Sequence, residues 1–176
     1  AIGSKVDGSA FTGKLNVTGN TKPFAAGSSF GDMLIGGSGA DTLKAAINGG
    51  TLTGNAGADT FDVRVALGGT SAAFNTTTIT DFTKGDKIVF AATAGAFTAA
   101  KVDLSGAASV SAALDLLAAG NNSDLKWGVY NGNTYIVDDA GAGATFAATD
   151  TMVKLAGVLD LSTSTFAAAT NTLTFA

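Results

Sequence analysis

Between Gly27 and Val63 the apolar residues arrive singly and at a fixed interval. Leu34, Leu43, Leu52 and Phe61 lie nine residues apart, each preceded by a polar, glycine-rich stretch. Four nine-residue units fit the segment without a gap, beginning at Gly27, Gly36, Ala45 and Gly54, and their sixth places hold Asp32, Asp41, Gly50 and Asp59. A fixed period with one apolar residue per unit predicts stacked turns. Each is a tight loop followed by a short strand whose apolar side chain points inward.

The flanking patterns differ. Val6-Asp7 and the alternating run 14–18, with Leu15 and Val17 on one face, predict strands in an irregular first turn that caps the stack. After a loose stretch at 68–77, residues 78–90 read as two short strands joined by a glycine turn, with Ile79, Phe82, Ile88 and Phe90 as core candidates. Val110, Ala113, Leu114 and Leu117 fall at helical spacing within 106–120, with Ser105 or Ser109 as N-cap and Gly120 as the stop. That helix should close one face of the sheet and leave Asp115 in solvent. Asn131-Gly132 between two alternating runs predicts a hairpin, followed by a surface loop from Asp138-Asp139 to Asp150. Residues 151–155, 157–161 and 172–175 read as further strands.

Composition sharpens this into a mainly all-β chain. All fourteen acidic residues are Asp, and 24 glycines accompany abundant Thr, whereas helix-rich chains ordinarily use Glu. At 176 residues the chain is long enough for a core, organised as 1–77, the roll with its cap, and 78–176, a β-sandwich-like region with one helix, the two packed as one continuous unit. Cys and His are absent, which excludes disulfides, thiolate or imidazole metal sites and Ser-His or Cys-His catalysis within these residues; no enzymatic role is expected. A net charge of −4 with scattered lysines argues against a nucleic-acid partner, and no apolar run is long enough for a membrane span. The opening stretch, AIGSKVDGSA, carries no secretory signal and reads as the interior of a longer chain.

The chemistry of the units points to a hard cation. Glycine lets carbonyl oxygens converge where a Cβ would obstruct them, and Asp at place six adds an anionic oxygen. Calcium takes six to eight such oxygens. The residues alone leave open a glycine-rich loop in which Asp serves turn hydrogen bonds.

The second unit, GGSGADTLK, matches the whole of G-G-x-G-x-D-x-U-x. Here the sequence resembles the calcium-binding repeats of RTX proteins, which form a parallel β-roll. The resemblance implies two units per turn, so that residues eighteen apart stack. Asp41 then stacks on Asp59, and one Ca²⁺ is bracketed by Gly36, Ser38 and Asp41 on one loop and Asn55, Gly57 and Asp59 on the next. On the opposite edge Asp32 stacks on Gly50, a weaker site that Asn48 partly supplements. Ile79-Thr80-Asp81-Phe82 with Gly85, Asp86 and Ile88 resembles the segment that follows the repeats in serralysin-type C-terminal domains, one residue shorter. It implies that Asp81 reaches back to a roll-edge calcium, while the residues alone also allow a turn-capping carboxylate; Asp86 reads as structural.

The stretch from NGNTYIVDD to STSTF resembles the C-terminal end of bacterial surface-layer and other proteins exported by type I secretion. This implies a calcium-binding structural domain of a surface-layer protein of a Gram-negative bacterium. It would carry an uncleaved export signal read by the ABC exporter, fold on calcium outside the cell and self-associate in a lattice. The alternatives are the non-catalytic tail of a serralysin-like protease or lipase, or of an RTX adhesin.

Overall fold

The computed structural model describes residues 3–22, 31–65, 69–70, 73–91, 95–120, 123–140 and 143–176. Its first half is a coil in which successive short strands alternate between two sheets. β1 (Lys5–Asp7), β3 (Asp32–Ile35), β5 (Gly50–Thr53) and β9 (Thr77–Ile79) pair in parallel in the first sheet. β2 (Asn16–Thr18), β4 (Thr42–Lys44), β6 (Thr60–Asp62) and β10 (Lys87–Val89) do the same in the second. A two-stranded side hairpin, β7 (Gly69–Thr70) with β8 (Ala73–Phe74), interrupts the return from β6 to β9.

The nine-residue spacing becomes packing in this arrangement. One inward apolar residue per strand puts Val6, Leu34, Leu52 and Ile79 in register in the first sheet, and Val17, Leu43, Phe61 and Ile88 in the second. The six from Leu34 to Ile88 are all but fully buried, each contributing about 1.5–3 kcal/mol. The two columns meet as the main core, which Phe82 and Phe175 close with stacked rings 5.4 Å apart.

The second half continues both sheets. α1 (Val110–Ala118) is capped by Ser109, whose Oγ accepts from Ala112 N–H at 3.1 Å. β11 (Leu125–Tyr130) and β12 (Asn133–Asp138) form the hairpin, Asn131 and Gly132 taking φ of 46° and 73° as a two-residue turn demands. β13 (Thr151–Leu155) runs antiparallel to β12 and parallel to β9, joining the hairpin to the roll. β14 (Thr165–Ala167) and β15 (Thr172–Thr174) extend the second sheet from β10. The chain is thus mainly β with a single short helix among the described residues. Trp127 and Ile136 face the main core, while Tyr135, Val137 and Met152 face α1, so β12 is buried on both sides.

Residues 78–90 do hold two short strands joined by a turn at Gly85, and β9 and β10 lie in opposite sheets, one corner of the coil apart. Three expectations are corrected. Residues 157–161 form no strand, because the Thr134 hydroxyl bends them, donating to Gly157 O and accepting from Leu159 N–H at 2.8 Å. Asp115 is not simply solvated; it accepts from Phe146 N–H at 3.0 Å and ties α1 to the following loop. Asp138, Asp139 and Asp150 are buried rather than on a surface loop. Of the first nine-residue unit, residues 27–30 lie outside the described residues.

Candidate functional site

The corners that lead from the first sheet to the second end just before β2, β4, β6 and β10. Before β2, β4 and β6 the parallel ladder has not yet begun, and a main-chain N–H faces no carbonyl of the next turn; before β10 the Asp86 N–H turns back to Thr83 O. A buried donor of that kind needs an acceptor. Aspartate supplies it. Asp41 Oδ1 accepts from Leu15 N–H at 2.8 Å, Asp59 Oδ1 from Asp41 N–H at 2.8 Å, and Asp86 Oδ1 from Asp59 N–H at 2.9 Å. In each case the donor holds the same place one turn earlier. Asp32 repeats the rule on the return edge with Ser4 N–H at 2.8 Å, and Asp81 repeats it with Gly54 N–H at 2.9 Å. Hydrogen bonds to a charged acceptor contribute about 1.5–3 kcal/mol each, so this ladder of carboxylates holds successive turns together.

The second carboxylate oxygens set these residues apart. Asp41 Oδ2 accepts from Gly37 N–H at 2.6 Å, Asp32 Oδ2 from Asn20 N–H at 2.6 Å, Asp81 Oδ2 from Asn55 N–H at 2.7 Å, and Asp86 Oδ2 from Thr83 N–H at 2.8 Å. Asp59 Oδ2 is buried and accepts no hydrogen bond. The reason is local. Asn55 holds the place that Gly37 holds one turn earlier, and its N–H has been taken by Asp81. Burial pushes the Asp59 carboxyl up to about 6; the Asp41 N–H opposes the shift, and the charges of Asp86, Asp41 and Asp81 reinforce it.

Glycine makes the room for these oxygens. A Cβ on Gly54 would lie 2.2 Å from Asp59 Oδ2, and one on Gly36 would lie 2.4 Å from Asp41 Oδ2 and 2.7 Å from the Gly54 carbonyl oxygen. Asn55 sits at φ 65° and donates from Nδ2 to Gly36 O at 2.7 Å, which ties the two loops together. Gly57, at φ 135°, lies so close to the Gly39 carbonyl that a Cβ would meet its oxygen at 2.4 Å. Ser38 is exposed and gives its N–H to Phe11 O.

The predicted loops are therefore adjacent, with Gly36, Asp41, Asn55, Gly57 and Asp59 on two stacked corners and Asp81 on the next. Asp32 stands apart on the return edge, in register with Gly50. Asp59 fits a hard cation: its Oδ2 is a buried carboxylate oxygen without a donor, beside the Gly54 backbone, and the Gly54 carbonyl oxygen lies against Gly36 of the loop stacked on it. Among the described residues no three carboxylates converge as a metal cluster, so most oxygens around an ion here would come from the main chain. Asp41, Asp32 and Asp81 already hold N–H donors on both oxygens.

Sequence reasoning did not foresee the ladder itself, nor Asp86 as its last rung, although Asp86 was read as structural. It also missed the bidentate pair of Asp62 with Arg64 on the return edge, at 2.9 and 2.6 Å. The acid and base two apart in Asp62-Val63-Arg64 were the available signal. No family model matches the chain, and no curated protein matches it. Among the described residues no helix is long and apolar enough to cross a membrane.

Proposed function

We propose that this chain is a calcium-dependent structural domain, the C-terminal part of a bacterial surface-layer protein that leaves the cell by type I secretion. One observation carries the calcium reading: the buried, donor-free Oδ2 of Asp59 between stacked glycine loops. Export and surface-layer membership rest on the resemblance of residues 27–63, 78–90 and 125–176 described above.

Folding is linked to ion binding in this reading. Ordering a glycine-rich chain costs conformational entropy, and the turns stack Asp41, Asp59 and Asp86 in one line of negative charge. Bound calcium would supply the compensating positive charge at Asp59. Asp41 and Asp86 keep their N–H donors and hold the corners in register; Gly36 and Gly54 keep the space open. Where calcium is scarce the roll is marginal and fit to thread an exporter. Outside the cell, millimolar calcium meets or exceeds the ~10⁻⁴–10⁻³ M affinities of extracellular modules. At one to ten times its Kd each site adds about 0.4–1.4 kcal/mol. No catalytic role is assigned to these residues.

Circular dichroism and thermal unfolding in millimolar calcium and in chelator test the linkage. The melting temperature should rise by several degrees with calcium and fall back with chelator. Identical spectra and melting curves in both would remove the proposal.

A further inference from the structure

Gly36 follows β3 onto the corner that holds the ion site, and its two main-chain groups are served differently. Its N–H stays in the ladder and donates to Thr53 O at 2.8 Å. β3 and β5 pair in parallel with Ile35 opposite Thr53, which sets Gly36 opposite Gly54. In a parallel ladder the Gly36 carbonyl would next accept from the residue after Gly54, which is Asn55. The Asn55 N–H goes to Asp81 Oδ2 instead, at 2.7 Å. A carbonyl that loses its ladder donor needs another, and the Asn55 side chain supplies it, Nδ2 donating to Gly36 O at 2.7 Å. One residue thus reaches both ways, with its main chain to the turn after and its amide to the turn before.

The preceding turn meets the same need without a side chain. Asp7 pairs with Ile35, so Gly8 holds the place of Gly36 one turn earlier, and its N–H donates to Ile35 O at 2.8 Å. Gly37, the counterpart of Asn55, gives its N–H to Asp41 Oδ2. The Gly8 carbonyl then accepts from Phe11 N–H at 2.8 Å, a donor fixed in the main chain. At Gly36 the donor is the tip of an exposed residue's side chain. It can turn into water while the backbone of Asn55 stays bound to Asp81.

Gly36 packs against the Gly54 carbonyl, and the Gly54 backbone lies beside the donor-free Oδ2 of Asp59. We propose that the Asn55 amide is a releasable lock on this site: it holds Gly36 O while the site has no cation and swings off when that oxygen becomes a ligand. The proposal rests on the calcium reading of Asp59. Its basis is electrostatic. Nδ2 points the positive end of an amide at an oxygen of the kind a hard cation takes, and the carbonyl's second lone pair would seat a cation beside those same hydrogens. The lock therefore ties the loops together in the absence of calcium and weakens calcium binding by one hydrogen bond. The competing role is that of a ligand, in which the amide turns over to offer Oδ1; removing it would then have the opposite sign.

Asn55→Gly deletes the amide at a position whose φ of 65° glycine tolerates. In calorimetric titration with Ca²⁺ the variant should bind about threefold to tenfold more tightly than the wild type, the weight of one hydrogen bond no longer broken. In chelator its urea midpoint should lie below the wild type's, because Gly36 O has lost its donor. NMR on the wild type carries the test even where the variant fails to fold. The Asn55 side-chain N–H signals should shift and exchange faster with water as calcium saturates, while its main-chain N–H stays protected. Equal or weaker binding by Asn55→Gly overturns the lock and leaves the ion site standing. So does a side-chain amide unmoved at saturating calcium, or an unchanged midpoint in chelator. No binding by either protein sinks the ion site and the lock together.

Discussion

Asp41 and Asp59 hold the same place in consecutive turns, both inside Gly-Ala-Asp, and both begin a strand with an inward apolar residue. Asp41 receives two main-chain donors and Asp59 one. The difference arises one turn later. The register steps by eighteen residues from Thr42 to Thr60 but by 27 from Thr60 to Lys87, and the longer turn delivers Asp81 to the Asn55 N–H. One motif thus yields two roles: Asp41 is a saturated rung, and Asp59 is a rung with an oxygen to spare. A repeat residue's chemistry is set by the turn stacked on it as much as by its own unit.

The largest effect expected from breaking this comparison comes from the space around the oxygens. Gly36→Ala drives a methyl into both Asp41 Oδ2 and the Gly54 carbonyl, whereas the three atoms nearest a methyl on Gly54 all belong to the Asp59 side chain, which can turn away. Urea unfolding should show a loss of about 3–4 kcal/mol for Gly36→Ala and a smaller loss for Gly54→Ala. Next come the rungs. Asp41→Ala leaves the Leu15 and Gly37 N–H groups without acceptors and should cost about 3 kcal/mol; Asp59→Ala strands only the Asp41 N–H and also removes a disfavoured charge, for about 1 kcal/mol in chelator. Equal losses would erase the distinction.

The third effect is in pH. The Asp59 carboxyl is raised from 3.8 to about 6, so the calcium-free folded state holds a proton that the unfolded chain has lost. Stability should therefore fall as pH rises from about 4 to about 6 and then level off, by about 1–2 kcal/mol after solvent screening at the corner. Asp7, Asp62, Asp103 and Asp160 are held below their ordinary value, so their contribution is lost as pH falls below about 5 and opposes that of Asp59 only at the foot of this window. Asp59→Asn should show no fall between about pH 5 and 6. The smallest effect is the most specific. Asp81→Ala frees the Asn55 N–H and removes one of the charges acting on Asp59, so the carboxyl shift of Asp59 read by NMR should titrate at a lower pH than in the wild type.

Much of the roll was legible because its core needs one residue per strand. Leu34, Leu43, Leu52 and Phe61 announce it at a period of nine, and the same period places Asp41 on Asp59. The division of hydrogen bonds was not legible, since it depends on which turn's N–H meets which carboxylate, and 27-residue turns carry no signature at the Asp itself. The helix stripe and Asn131-Gly132 declared themselves locally, whereas residues 157–161 looked like a strand until the distant Thr134 hydroxyl bent them. Asp138, Asp139 and Asp150 read as surface because charge usually stays in water; their burial is a tertiary decision.

The central claim is that Asp59 is both a rung and an ion anchor, and Asp59→Asn separates the two roles. The amide oxygen still accepts from Asp41 N–H, so the ladder survives while the negative charge is lost. Calorimetric titration with Ca²⁺ in parallel on the wild type and Asp59→Asn should give saturable binding at or below millimolar calcium for the first, with affinity lower by tenfold or more for the second. No binding by the wild type, or equal affinity for the two proteins, would contradict it.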